Sequence, residues 1–294
     1  VIHYGSGVFE GIRCYATPKG SACFRLDAHM QRFQQSAKIY RMSYPLDVDG
    51  WENAVLETIR ANEMKSCYIR PILYRGYDSL GVNPFTCPVD AAILLWDWGG
   101  YLGTEAIEAG CDVKIASWSR MAPNTLPALA KGSANYANSA LIKMEAITDG
   151  YTEGIALDVH GFISEGSGQN VFIVRNGTIV TPPLASSILG GITRDTVITL
   201  AADLGFTVTE ATLPREALYV ADEVFFAGTA VEITPVRSID RIPVGTGRRG
   251  PVTEALQRAF FDAINGEVPD THGWLTYVYA EEAALWARAI APVS

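Results

Sequence analysis

Helical and extended patterns alternate from one end of this chain to the other, and that alternation restricts it to a mixed α/β architecture. Leu26, Met30, Phe33, Ala37 and Tyr40 recur at helical spacing and predict an amphipathic helix over roughly 27–42, with Asp27 as its N-cap. A second helix is expected from Trp51 to Asn62. Cys67–Tyr74 reads as a strand in which Pro71 holds Arg70 extended, and Pro71 is tolerable only where the ladder needs no donor. The loop Leu80-Gly81-Val82-Asn83-Pro84 precedes a buried strand at Ala91–Leu95. The segment Asp97-Trp98-Gly99-Gly100-Tyr101-Leu102-Gly103 combines glycines with large aromatics and reads as a domain linker that also lines something. Beyond it come a strand near Val113–Ser117, a helix after Lys131 ending at Gly150, and two hairpins. The second hairpin, Phe172–Val180, carries an Asn176-Gly177 type I′ turn signal. Two helices close the pattern: Thr193–Leu204, stopped by Gly205, and Pro251–Asn265, with Val252, Ala255, Leu256, Ala259, Phe260 and Ala263 on one apolar stripe.

With 294 residues, 48% hydrophobic and 19% charged, the chain can bury the core of two modest domains or one large one. A net charge of −9 argues against nucleic acid as the main partner, because phosphate binding needs a basic face. The Arg248-Arg249 pair between Gly247 and Gly250 reads as a solvated turn. The five cysteines are odd in number and lack a CxxC spacing, which fits reduced cytosolic thiols and supports neither a disulfide framework nor a zinc site. No apolar run reaches the length of a membrane span, and no signal peptide is evident. The opening Val1-Ile2-His3-Tyr4, without Met, reads as a chain lacking some N-terminal sequence.

Four segments could carry chemistry. Lys131 lies among Leu126-Pro127-Ala128-Leu129-Ala130 and Gly132-Ser133-Ala134-Asn135-Tyr136. A lysine so placed either snorkels to water or sits in a pocket, where desolvation makes its amine a nucleophile of the Schiff-base kind. Glu165, in Ile163-Ser164-Glu165-Gly166-Ser167-Gly168-Gln169-Asn170, is either a solvated acid in a surface turn or the partner of a buried cationic nitrogen. In the second case its small neighbours let a flat ligand lie on the backbone. Leu189-Gly190-Gly191-Ile192-Thr193 brings glycines into a helix start suited to phosphate, although Thr193 could be only a cap. Phe226-Ala227-Gly228-Thr229-Ala230 offers a second turn of the same kind, or a structural one. A Schiff-base lysine, an acid for a ring nitrogen and two phosphate-type turns are what pyridoxal phosphate needs.

At these residues the chain resembles the branched-chain amino-acid aminotransferases, class IV aminotransferases among the fold type IV pyridoxal-phosphate enzymes. The likeness runs from His3-Tyr4-Gly5 and Val8-Phe9-Glu10-Gly11-Ile12-Arg13 through Tyr68-Ile69-Arg70-Pro71 and Gly81-Val82-Asn83-Pro84 to Ala122-Pro123-Asn124-Thr125. It continues with the Lys131 and Glu165 segments, Gly191-Ile192-Thr193-Arg194-Asp195 and the run from Gly228 to Arg237. It ends at Gly250-Pro251-Val252-Thr253 and Gly273-Trp274, so it spans about residues 2–275.

The resemblance implies an α/β (α+β) fold: a small N-terminal α/β domain (1–96), an interdomain loop (97–106), and a larger C-terminal pseudo-barrel domain that binds the cofactor (107–294). It implies pyridoxal 5′-phosphate in a Schiff base on Lys131, which would also shuttle the proton between substrate Cα and C4′. Glu165 would pair with the ring nitrogen and Tyr136 with the ring oxygen. Arg32, Gly191, Ile192, Thr193 and Thr229 would bind the phosphate; without the resemblance, Arg32 reads as a surface partner of an acid. Tyr68 and the Thr229–Ala230 backbone would take the α-carboxylate, and Arg70 the distal carboxylate of glutamate. Phe9, Trp98, Tyr101 and Tyr136 would wall the side-chain pocket. Tyr4, Leu80 and Val82 match positions inserted from a neighbouring subunit, so a homo-oligomer, at least a dimer, is implied. The implied reaction moves the amino group of L-leucine, L-isoleucine or L-valine to 2-oxoglutarate, in the cytoplasm and without a metal, a nucleic acid or a membrane. Two features depart from the pattern: Gln169 stands where relatives often carry a second Glu, and Ala280–Trp286 lies beyond the likeness. A D-amino-acid or (R)-amine aminotransferase, or an aminodeoxychorismate lyase, would keep Lys131 and Glu165, but Tyr68-Ile69-Arg70 with Gly81-Val82-Asn83-Pro84 favours the L-branched-chain type. The intact Lys131 and Glu165 argue against a non-enzymatic scaffold.

Overall fold

The computed structural model describes residues 1–98 and 104–279, which form two compact units. Tyr101 and the Ala280–Trp286 segment lie outside the described residues. Gly7–Trp98 builds most of the first unit. It begins with β1 (Gly7–Phe9), β2 (Ile12–Thr17) and β3 (Gly20–Phe24), followed by α1 (Leu26–Ile39) and α2 (Val48–Ala61), then β4 (Cys67–Arg75) and β5 (Val89–Trp96). All strand pairings here are antiparallel. β4 has β5 on one side; on the other, β1 and β2 pair with successive stretches of it.

Pro71 explains why β1 and β2 are two strands. Phe9 faces Ile72 and Ile12 faces Ile69, so the register runs unbroken across Glu10 and Gly11. Pro71 accepts from Glu10 N–H at 2.9 Å through its carbonyl. It has no N–H to return, so the ladder loses a bond there.

Helix α1 starts one residue before the expected cap. Arg25 occupies the N-cap position in the left-handed region (φ 53°), and no side chain caps the helix. The Arg25 N–H donates to Trp274 O at 2.6 Å, a tertiary contact that turns the chain out of β3. Asp27 therefore sits in the first turn, where its charge suits the helix dipole. At α2, Asp47 accepts from Gly50 N–H at 2.9 Å, so this helix begins three residues before Trp51. Leu26, Met30 and Phe33 of α1 and Trp51, Val55 and Ile59 of α2 pack on Val8, Ile12, Ile69 and Leu73 of the sheet. Each such buried side chain contributes about 1.5–3 kcal/mol relative to exposure.

The second unit contains Ile2–Ser6 and runs on to Phe260. Its elements are α3 (Thr104–Ala109), β6 (Cys111–Ile115), α4 (Asn135–Thr148), β7 (Glu153–Leu157), β8 (Ile163–Gly166), β9 (Asn170–Arg175) and β10 (Thr178–Thr181). They continue with α5 (Ile192–Asp203), β11 (Thr207–Glu210), β12 (Glu223–Gly228), β13 (Glu232–Ile239), β14 (Ile242–Pro243) and α6 (Pro251–Ile264), of which Pro251–Phe260 belongs to this unit. Nine strands form one mixed sheet in the order β11-β10-β9-β12-β13-β6-β7-β8, with β14 added to β13. The β9–β10 hairpin turns through Asn176 (φ 50°) and Gly177 (φ 76°), the two positive φ angles of a type I′ turn. Val113, Ile155, Ile163, Val171, Ile173, Val224 and Phe226 supply a core on the sheet. Phe172 and Phe225, directly opposed across β9 and β12, stack at 5.0 Å.

After Phe260 the chain returns to the first unit, whereas the sequence division assigns everything from 107 to 294 to one domain. The final strand, β15 (Leu275–Tyr277), pairs antiparallel with β3, and Val278 is fully buried in the first unit's core. All five cysteines are free and buried. Among the described residues no helix is long and apolar enough to cross a membrane, and no group of side chains could hold a metal ion.

Candidate active site

In the second unit the functional side chains sit in the connections between elements, at helix starts and on β8. The loop before α4 presents Lys131. Asn135, buried in the first turn of α4, donates through Nδ2 to Pro127 O and Ala130 O, both at 3.0 Å, and so pins the loop that carries the lysine. Lys131 Nζ lies 2.8 Å from the Tyr136 hydroxyl and 5.3 Å from that ring's centroid. Gly5 packs on Ala134 at the head of the same helix, and the neighbouring Tyr4 is exposed.

Glu165 ends up in β8 rather than in a surface turn, and only 4% of it is exposed. Its Oε1 accepts from Arg120 Nη2 at 2.7 Å; its Oε2 accepts from Leu189 N at 3.0 Å and Asn170 Nδ2 at 3.2 Å. Arg120 is itself fixed by Asn138 Oδ1 (2.9 Å) and Ser139 Oγ (3.3 Å). Burial pushes the Glu165 proton affinity up. The charges of Arg120 and Lys131 and the Leu189 N–H pull it down without cancelling the desolvation. A carboxylate offers about four lone-pair sites. Three are used here, which leaves room for one more donor.

Helix α5 opens on Gly191, and no side chain caps it. Its first N–H groups, at Ile192 and Thr193, start a helix long enough for its dipole to favour an anion. A Cβ on Gly191 would fall 2.0 Å from Asn170 Oδ1, so the glycine is imposed by the residue that supports Glu165. Thr229 and Ala230 lie in the turn between β12 and β13.

The first unit holds a second group. Tyr68 is a cross-strand partner of Trp96, with ring centroids 4.9 Å apart, and Trp98 lies 4.3 Å from Tyr68. The Arg70 guanidinium carbon sits 4.5 Å from the Phe9 ring centroid and 5.5 Å from those of Tyr68 and Trp96. A Cβ on Gly11 would lie 2.0 Å from the Tyr68 hydroxyl, so this glycine makes room for the phenol.

Arg32 is buried, not a surface residue, and it grips Glu10 twice: Nε to Oε1 at 2.7 Å and Nη2 to Oε2 at 2.8 Å. His29 Nδ1 lies 2.7 Å from Glu10 Oε2. Desolvation alone would raise the Glu10 pKa, but the Arg32 charge and the His29 contact outweigh it and hold the carboxyl well below the usual range. Leu80 and Val82 are exposed on the 77–87 loop.

The structure thus brings Lys131 to Tyr136, Arg70 to Phe9 and Tyr68, and Tyr68 to Trp98. Sequence reading missed Arg120, Asn135, Asn170, Glu10 and Trp96 as supports. Arg120 is 45 residues from the carboxylate it meets and Glu10 is 22 from Arg32, so no local spacing marks either pair.

The donor set fits pyridoxal phosphate. An uncapped helix start where Gly191 cannot take a Cβ suits a phosphate, Lys131 offers an amine, and the buried Glu165 has one acceptor site to spare. Comparisons with known proteins agree. The family model for amino-transferase class IV matches residues 7–239. The branched-chain-amino-acid aminotransferase of Escherichia coli (strain K12) is 52% identical over 278 residues, covering 94% of this chain and 90% of that protein. A crystal structure of the Escherichia coli branched-chain amino acid aminotransferase superposes with a TM-score of 0.93 at 52% identity, covering 95% of this chain and 92% of that one. The T.th. branched-chain amino acid aminotransferase complexed with N-(5′-phosphopyridoxyl)-L-glutamate superposes at 0.90 with 46% identity, covering 95% and 91%. With the match running through both units, and with the lysine, the buried acid and the uncapped helix in place, the chain belongs to the class IV aminotransferases.

Proposed function

We infer that this enzyme transfers the amino group of L-leucine, L-isoleucine or L-valine to 2-oxoglutarate with pyridoxal 5′-phosphate as cofactor. The observation that carries the reading is the pairing of Lys131 with Tyr136 beside a buried Glu165 that has an acceptor site left. The branched-chain preference rests on the relatives and on the aromatic surround of Arg70.

The bound cofactor supplies an aldehyde that takes up the amino group and a ring that draws electron density from the substrate Cα. Lys131 would hold it through Nζ, and the same nitrogen would carry the substrate Cα proton. Tyr136 orients Nζ and serves the ring oxygen. Glu165 would accept from the ring N–H, and Arg120 opposes protonation of the buried acid. Gly191, Ile192 and Thr193 at the head of α5 and Thr229 in its turn would bind the phosphate; Arg32 is the further candidate, its plane fixed by Glu10 and His29. Tyr68 and the Thr229–Ala230 backbone receive the α-carboxylate. Phe9 and Trp98 would line the aliphatic side chain, and Arg70 would meet the γ-carboxylate of glutamate.

The working form is at least a dimer in the cytoplasm, with Tyr4, Leu80 and Val82 completing a neighbour's site; their exposure supports this. Sedimentation of the holoenzyme tests the oligomer, and a monomer that retains full activity refutes it. The activity is tested by supplying the purified holoenzyme with L-leucine and 2-oxoglutarate and following glutamate and 4-methyl-2-oxopentanoate. Turnover of D-alanine or aminodeoxychorismate in place of leucine would reject the assignment.

A further inference from the structure

We propose that Trp96 is a specificity-determining residue: it is the face that holds the Arg70 charge in place for a distal carboxylate while a substrate lacking one occupies the same pocket. The inference rests on the transaminase reading and adds a residue that the sequence motifs do not mark.

Among the described residues no acid pairs with Arg70, and its Nε is buried without a hydrogen-bond partner. Three rings take the place of a counter-ion: Phe9 at 4.5 Å, and Tyr68 and Trp96 each at 5.5 Å. A guanidinium suits this arrangement because it is flat and weakly hydrated, and indole is the strongest aromatic partner for a cation. Trp96 is also held from two sides. It is the direct cross-strand partner of Tyr68 (4.9 Å) and stacks on Trp98 at 5.4 Å and 28°. Trp98 is anchored in turn through its carbonyl, which accepts from Arg13 Nη2 at 3.0 Å.

One pocket must serve both leucine and glutamate. An arginine locked to an acid would be unavailable to glutamate, and a loose one would have to be ordered afresh at each binding event. Held on aromatic faces, Arg70 stays charged and oriented with no ligand carboxylate present. The dicarboxylate then binds a preorganised partner. An aliphatic side chain needs nothing from Arg70, so removing Trp96 costs it little.

The test compares two unreactive ligands, glutarate and 4-methylvalerate, binding to holoenzyme by calorimetry, alongside KM for 2-oxoglutarate and leucine. Trp96→Leu is expected to weaken glutarate and raise KM for 2-oxoglutarate about 5–10-fold, in line with losing one desolvated cation–π face. 4-Methylvalerate and leucine should stay within about twofold, and Trp96→Phe should recover most of the loss. Equal weakening of both ligands, as a general disturbance of the fold would give, overturns the proposal, as does no change in either. Wild-type enzyme that turns over leucine yet binds no glutarate overturns it and leaves the transaminase reading standing. Wild-type enzyme that does neither overturns both.

Discussion

Gly191 and Asn170 fit together only because the glycine has no side chain: a Cβ there would lie 2.0 Å from Asn170 Oδ1, while Asn170 Nδ2 bonds Glu165 at 3.2 Å. Gly191→Ala must therefore push Asn170 away from the acid it supports. Overpacking of this kind costs about 1–3 kcal/mol. The variant should unfold at lower urea and hold pyridoxal phosphate about tenfold more weakly, read by cofactor titration, since about 1.4 kcal/mol is a factor of ten. Unchanged midpoint and affinity would show that Asn170 has another place to go.

Lys131→Ala should abolish transamination, while the phosphate contacts keep some cofactor on the protein. Retained turnover would end the assignment of the lysine. Glu165→Gln replaces a charge-assisted bond by a neutral one, worth about 1.5–3 kcal/mol, so kcat should fall roughly 10–100-fold with cofactor still bound. Equal kcat in variant and parent would remove the electron-sink role of the acid.

Arg120 offers a pH test. Desolvation already raises the Glu165 pKa, and Arg120 is the largest influence opposing it. Arg120→Met removes that opposition, so the acid gains its proton at higher pH and can no longer accept from a ring N–H. The acid limb of kcat against pH should move upward, and activity at neutral pH should drop. A lower kcat with an unmoved limb would assign Arg120 to folding alone.

Glu10 titrates with the opposite sign. Arg32 and His29 hold its folded-state pKa below that of the unfolded chain, near 4.3. The stability this contributes is fully present above about pH 5 and is lost as pH falls from there through the folded value. Glu10→Gln strands the Arg32 charge in the core, a loss of about 3–5 kcal/mol at neutral pH. It should also flatten the acid dependence of urea unfolding. An identical acid slope in the variant would place that dependence on other carboxylates.

Sequence alone reveals elements whose signal is local. The Asn176-Gly177 hairpin, the apolar stripe of α1 and the glycine stop of α5 depend on neighbours a few residues away, and the structure places them as expected. Asp27 failed as a cap because Trp274, almost 250 positions on, fixes Arg25 instead. Glu165 looked like part of a turn because Gly166, Ser167 and Gly168 follow it. What buries it is Arg120 and Leu189, neither of which has a periodic relation to it. Local context singled out Lys131, and family likeness supplied Arg32 and Arg70. The residues that hold them still, Asn135, Glu10 and Trp96, are legible only in three dimensions.

The strand Leu275–Tyr277 lies on β3, more than 250 residues after that strand was made. On the ribosome, the first unit's sheet must wait with β3 as a bare edge until Leu275–Tyr277 has emerged, while the second unit can fold in the meantime. Loss of the last twenty or so described residues would leave that edge permanently open. Truncation should thus make the nascent chain aggregate before any question of catalysis arises.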